Sequence, residues 1–188
     1  MIHDISRELL LRSIQGDMTA FEEVYRATSG FVYSVALRIL HNNADAEEVT
    51  QDVFVKVYRG LNNFRFKSSF RTWVYRIAVT TALNRYRSSK AEACHLADFI
   101  AQEPPVPSGR ATPEELDRHD AEGRMMALLE TLNPDQKACI VLREIEGLSY
   151  QEIAGILRVP VNTVRSRLKR SREALLAFRR KEGRDHEM

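Results

Sequence analysis

The chain has 188 residues, 44% of them hydrophobic, and a formal net charge of only +2. That length suits one medium domain or two small ones, and the apolar content is ordinary for a soluble globular protein. No apolar run approaches the length of a membrane span and no signal-peptide pattern opens the chain, so membrane insertion is not expected and the cytoplasm is the expected compartment.

Apolar residues recur at spacings of three and four throughout, and strand-like alternation is absent, which predicts an all-α fold. Within Met1 to Gly16, Leu9, Leu10 and Ile14 point to a first helix. Phe21, Val24 and Tyr25, followed by Val32, Val35, Ala36, Ile39 and Leu40, form one apolar face. The next stretch, Ala44 to Asp52, carries the carboxylates Asp45, Glu47, Glu48 and Asp52 and no base. Behind it Val49, Val53 and Val57 recur at i, i+4 and i+8, with Phe54 and Leu61 beside them, a core stripe by default.

From Phe64 to Lys90 the charge reverses. This stretch holds Arg65, Lys67, Arg71, Arg76, Arg85, Arg87 and Lys90, with no Asp or Glu. It also holds Phe64, Phe66, Phe70, Trp73, Tyr75 and Tyr86, including the one tryptophan of the chain. Basic groups neutralise phosphates and aromatic rings stack on exposed bases, so the segment points to single-stranded or opening nucleic acid. The acidic helix is unsuited to that task and is expected to face a protein. Trp73, Ile77, Thr81 and Leu83 give a third apolar stripe, which places Trp73 in the core; Phe66 and Lys67 are expected to be exposed.

Cys94 and Cys139 have no CxxC spacing, so neither a zinc site nor a disulfide framework is expected. Cys94-His95 reads as a surface pair, and Cys139, within Ala138 to Leu142, as a buried small hydrophobe. Pro104, Pro105, Pro107 and Pro113, four of the six prolines, fall within ten residues and mark a linker. The expected organisation is therefore two small helical domains, 1–90 and 112–188, joined by a flexible linker over 91–111. Units this small bury a limited core and are marginal alone, so that a partner would help to order them.

In the second unit Thr112-Pro113-Glu114-Glu115 and Asn133-Pro134-Asp135-Gln136 each combine an N-cap, proline at the first helical position and a capping-box partner. Ser149-Tyr150-Gln151-Glu152 is another capping box, and Gly147 before it can end the preceding helix. A short helix from Ser149 to Leu157, with Ile153, Ala154 and Leu157 inward, meets the tight connection Arg158-Val159-Pro160. A second helix opens near Val161 and runs through Val164 and Leu168. This is a helix-turn-helix pattern, whose second helix enters the major groove. Its exposed side carries Asn162, Arg165, Ser166, Lys169 and Arg170. The turn commonly holds glycine where this chain has Arg158, so the backbone there must avoid or tolerate a left-handed angle. From Arg158 to Lys181 there are nine Lys or Arg and one acid, Glu173. The plainer alternative is a capped helical hairpin with a solvated basic face.

The order of acidic helix, aromatic-basic helix, proline linker and helix-turn-helix resembles a bacterial RNA polymerase sigma factor of the extracytoplasmic-function (ECF) group of the sigma-70 family. Ala46 to Tyr58 looks like region 2.1–2.2. Phe64 to Ala78, above all Ser69-Phe70-Arg71-Thr72-Trp73-Val74-Tyr75-Arg76-Ile77-Ala78, looks like region 2.3 and the loop before it. Leu148 to Arg172 looks like region 4.2. The resemblance implies that Glu48, Gln51 and Asp52 dock on the clamp helices of the polymerase's largest subunit. It implies −10 contacts from Asn62, Phe64, Arg65, Phe66, Lys67, Ser68, Ser69, Arg71, Arg76, Thr80, Asn84 and Arg85, with a flipped-base pocket in the loop 62–69. It implies −35 contacts from Asn162, Thr163, Arg165, Ser166, Arg167, Lys169 and Arg170. It further implies promoter DNA and an anti-sigma factor as partners, with no cofactor and no catalytic activity. Phe66 stands where the family often has glycine, and Thr80 where it favours asparagine; Asn84 matches a second family asparagine. The competing reading is a stand-alone helix-turn-helix regulator. An enzyme has no support, since His3, His41, His95, His119 and His186 are scattered and no carboxylate cluster has metal-site spacing.

Overall fold

The computed structural model describes residues 5–96, 123 and 125–185, and every regular element among them is helical. The first helix, α1 (Arg7–Ile14), is capped by Ser6, whose side chain accepts from Leu9 N at 3.1 Å. The chain reverses at Gly16, where φ is +91°, a conformation open to glycine at little cost. Asp17 caps α2 (Met18–Leu40) through Ala20 N at 3.0 Å and holds Arg12 at 2.6 Å. Both contacts favour the ionised carboxyl, that from Ala20 N first, and lower the Asp17 pKa.

α2 ends on His41 in the left-handed region, and Asn42 caps α3 (Asn43–Leu61) through Asp45 N. Ser69 Oγ accepts from Thr72 N and opens α4 (Phe70–Leu96). α4 thus extends past residue 90; the rest of the expected linker, 97–111, and the cap at Thr112 to Glu115 lie outside the described residues, as do the side chains of Cys94 and His95.

α2, α3 and α4 pack on one another with α1 laid against α2. Val24, Val32, Val35 and Ile39 meet Val49, Val53 and Val57, and α4 completes the core with Val74, Tyr75, Ala78 and Ala82. Each fully buried Val or Ile side chain contributes roughly 1.5–3 kcal/mol. Of the expected core residues, Phe21, Leu40 and Ile77 are half-buried, and two more stand out. Tyr25 is 41% exposed, and Trp73 is half-buried at the core's edge. There Trp73 sits so close to Gly60 that a Cβ on residue 60 would lie 3.1 Å from the indole.

Residues 125–130 are helical and lead through Asn133 into α5 (Pro134–Ile140). α5 continues into a π-helical turn, Val141–Ile145, in which Glu146 N bonds to Val141 O at 3.0 Å. Then come α6 (Tyr150–Leu157) and α7 (Val161–Asp185). The two expected capping boxes that fall within the described residues form, at Asn133/Gln136 and Ser149/Glu152. The Ser149 backbone N–H and then its hydroxyl hold the Glu152 carboxyl below its usual pKa. Cys139 is fully buried, and burial pushes its thiol up to about 11.

The two sets of helices are not separate. α4 packs against α6 and α5, α2 also touches α5, and one continuous buried cluster runs through both.

Candidate nucleic-acid and protein interfaces

The acidic helix α3 presents Glu48, Gln51 and Asp52 to solvent. Its neighbours on α2 and α3 are aromatic. Tyr58 is 47% exposed and meets Phe21 edge-on at 5.0 Å; Tyr25 meets Phe54 at 4.6 Å; Val55 and Met18 are also exposed. Tyr25, Tyr33, Glu47 and Gln51 line a shallow groove of about 380 Å³. A surface of rigid aromatic rings rimmed by carboxylates has the make-up of a protein-docking site. The tyrosines were not among the expected docking residues, because helical spacing assigns Tyr25 to the core.

In the loop before α4, Asn62, Arg65, Phe66, Lys67, Ser68 and Ser69 are exposed. Phe64, expected among the DNA contacts, is instead 8% exposed. Its ring packs against Phe66 (4.8 Å), Trp73 (5.1 Å) and Phe70 (5.7 Å), so that it anchors the loop from beneath. Phe66 has φ +54°, a left-handed conformation uncommon for a bulky residue. That accounts for a glycine preference at this position. Here the ring contact with Phe64 and the Arg7 guanidinium 5.0 Å from the Phe66 ring centroid help to offset the strain.

Arg85 and Arg71 of this segment are engaged by protein. Arg85 bonds Asp45 at 2.7 Å and reaches Glu48 at 3.1 Å, which joins the acidic helix to the basic one. Arg71 donates to Tyr75 Oη at 2.9 Å and to Glu146 at 3.3 Å, and the Tyr75 hydroxyl donates to the same Glu146 carboxylate. Burial raises the Tyr75 pKa, so the phenol keeps its proton as donor. Arg76 is half-buried, with its Nη2 3.8 Å from a Cβ built on Gly155 of α6. Thr80 and Asn84 are exposed but line the cleft between α4 and the helix-turn-helix. The α4 face carrying Arg71, Arg76, Thr80 and Asn84 therefore turns toward the second unit.

In the helix-turn-helix, Ile153, Ile156 and Val164 are buried and Ala154 allows close approach; Ile156, rather than the half-buried Leu157, is the deeper residue. Arg158 does take the left-handed conformation, φ +54° and ψ +45°, as the C-cap of α6. Left-handed backbone costs an L-residue roughly 1–2 kcal/mol, and glycine's extra chain entropy returns part of it. Arg158→Gly is expected to stabilise the protein by about 0.5–1 kcal/mol. A higher urea midpoint at unchanged slope checks this, and a lower midpoint contradicts it. Along α7, Asn162, Arg165, Lys169 and Arg170 are exposed, with Arg165 Nη1 donating to Asn162 Oδ1 at 3.0 Å. Thr163 and Ser166 are half-buried, and Arg167 is turned inward to Asp135 at 3.5 Å. The exposed row is what a major-groove helix needs.

Among the described residues, no group of His, Cys, Asp or Glu could hold a metal ion, and no helix is long and apolar enough to cross a membrane.

Known proteins share this arrangement. Residues 24–92 match the family model for sigma-70 region 2, and residues 122–175 that for sigma-70 region 4. The chain is 36% identical over 187 residues to the ECF RNA polymerase sigma-E factor of Escherichia coli, covering 93% of this chain and 95% of that protein. It is 33% identical over 175 residues to the RNA polymerase sigma-H factor of Pseudomonas aeruginosa, covering 90% and 91%. Among solved structures the fold is similar to that of CnrH in complex with the cytosolic domain of CnrY, at a TM-score of 0.68 and 24% identity over 93% of this chain and 97% of that one. It is also similar to the sigma factor RpoE of Bartonella quintana in complex with the anti-sigma factor NepR, at a TM-score of 0.63 and 22% identity over 82% and 93%. A chain that joins the acidic α3, the basic-aromatic α4 and a helix-turn-helix in this order, and matches these proteins along nearly its whole length, belongs to the sigma-70 family of RNA polymerase sigma factors, in its ECF group.

Proposed function

We propose that this sigma factor docks on the clamp helices of core RNA polymerase through Glu48, Gln51, Asp52 and the tyrosines beside them. The loop 62–69 and the face of α4 that carries Arg71, Arg76, Thr80 and Asn84 then capture and open the −10 element, and α7 reads the −35 element. In this reading residues 1–90 form the docking and −10 unit, 91–111 the linker and 112–188 the −35 unit. The protein works in the cytoplasm and has no catalytic activity of its own. An anti-sigma factor holds it inactive, as the anti-sigma factor NepR accompanies the sigma factor RpoE of similar fold.

One observation supports this reading over a stand-alone regulator. The α4 residues assigned to the −10 element face the second unit, Arg71 through its bonds to Tyr75 and Glu146. A protein so packed needs a partner that separates its halves before both promoter elements can be engaged. The docking face on α2 and α3 stays open meanwhile and can receive that partner.

Run-off transcription with purified core polymerase tests the proposal. Discrete new start sites that depend on the protein are expected. Arg165→Ala should lower initiation roughly tenfold to a hundredfold, the worth of one bidentate base contact, with core binding intact. Equal loss of core binding would sink the Arg165 assignment. Specific DNA binding by the isolated protein, with no transcription from an active core, would favour the stand-alone regulator.

A further inference from the structure

Two cavities adjoin where α4 faces the second unit. The larger, about 730 Å³, is lined by Lys56, Arg76, Arg87, Arg158 and Arg167, with Trp73 on its wall. The smaller, about 630 Å³, shares Arg87, Arg167 and Asp135 with it and adds Lys90, Arg170 and the Tyr86 ring. Among the described residues, Asp135 is the only carboxylate lining either cavity. It lies 3.5 Å from Arg167 and 3.8 Å from Arg87, so its charge is already shared between two cations. Lys56 donates to the hydroxyl of Thr81, at 3.1 Å, and forms no ion pair among the described residues. Arg76, Lys90, Arg158 and Arg170 form no ion pair among the described residues, and Arg76 Nε is buried without a hydrogen-bond partner.

This charge pattern is costly for a closed interface. Like charges converging on a cleft repel one another, and screening is weaker there than on an open surface. A single carboxylate would leave most of these cations uncompensated. Several adjacent anionic groups would pair them, and the guanidinium fork matches phosphate oxygens with two parallel hydrogen bonds. Both volumes lie in the range of small-molecule sites, roughly 300–1,000 Å³. The cavities share three lining residues, so an extended ligand can occupy both.

We propose that this cleft binds a small molecule carrying a chain of phosphates, either inorganic or attached to a nucleoside, and that the bound anion holds the two halves of the protein closed. Thr80, Asn84 and Gln136 offer neutral hydrogen-bonding groups on the walls, and Tyr86 offers a ring face beside the smaller cavity. Arg76, Arg167 and Arg170 also belong to the DNA-contact sets proposed above, so the ligand competes with promoter phosphates; that consequence, unlike the binding itself, rests on the sigma-factor reading.

Full-length protein is titrated with sodium tripolyphosphate, adenosine triphosphate and orthophosphate, without DNA or polymerase. The readouts are calorimetry and the fluorescence of Trp73, the one tryptophan. Tripolyphosphate is expected to bind saturably at one site, at least about tenfold tighter than orthophosphate, a difference of about 1.4 kcal/mol. Arg76→Gln and Arg158→Gln should each weaken it about tenfold, on the scale of one charge-assisted contact, whereas Arg179→Gln, outside the cleft, should not. Tighter binding of the nucleotide than of tripolyphosphate would assign the base to the Tyr86 side, and equal binding would assign recognition to the phosphates alone. Absence of saturable binding at millimolar ligand, or equal weakening by Arg179→Gln, would overturn the proposal. Because Arg158 lies at an exposed turn, its variant keeps the test valid even where Arg76→Gln disturbs the interface.

Discussion

Replacing Glu146 with alanine is expected to part the two halves of the free protein. The Glu146 side chain is only 9% exposed and accepts from both Arg71 and the fully buried Tyr75. Alanine would leave a buried phenol without its acceptor and a partly buried guanidinium with the Tyr75 oxygen but no carboxylate. Each such loss costs about 1–3 kcal/mol, and the Arg71 share is reduced because solvent reaches a third of that side chain. A total of roughly 2–3 kcal/mol is large against an interface that also gathers repelling arginines. Small-angle scattering should report a larger radius of gyration for Glu146→Ala, while circular dichroism reports unchanged helicity because each half keeps its own core. Glu146→Gln retains one acceptor oxygen and should fall between the two. An unchanged radius for the alanine variant would show that apolar contacts between α4 and α6 close the protein without this carboxylate.

The second large effect is expected at Asp52. This residue is exposed on α3 and makes no ion pair among the described residues, so Asp52→Arg should leave the unfolding midpoint within about 0.5 kcal/mol of the parent. Association with core polymerase should nevertheless fall at least about a hundredfold. A cation placed against a basic partner surface costs several kcal/mol, and steering of the encounter is lost as well. Fluorescence anisotropy of labelled protein titrated with core enzyme measures this. Parent-like affinity in the variant would remove Asp52 from the docking surface and leave the tyrosine patch to account for it.

Local signals in the sequence were legible and long-range ones were not. The capping boxes at Asn133 and Ser149, the Val49-Val53-Val57 stripe and the turn at Arg158 are written in residues a few positions apart, and the structure has all of them. α4 was only half readable. It buries Val74, Tyr75, Ala78 and Ala82 against α2 and α3, and sets Trp73, Ile77 and Leu83 toward the helix-turn-helix, so apolar residues go almost round it and no single stripe stands out. An aromatic run looks the same in sequence whether its rings stack on bases or on one another, so the three ring contacts of Phe64 are not legible there. The bond from Arg71 to Glu146 spans 75 residues, beyond the reach of any periodicity. Cys139 was simpler, since an apolar run around a lone cysteine predicts burial whichever helices cover it.

The π-helical turn at Val141–Ile145 gives that long-range bond a dependence on chain length. A π turn holds one residue more than an α turn and shifts the phase of everything after it by about 100°. Deleting a single residue there would restore the ordinary helical pitch and carry Glu146 about a quarter-turn away from Tyr75 and Arg71, with no side chain in the contact altered. Insertion and deletion, as much as substitution, thus offer a route by which descendants of this protein could gain or lose the closed arrangement in one step.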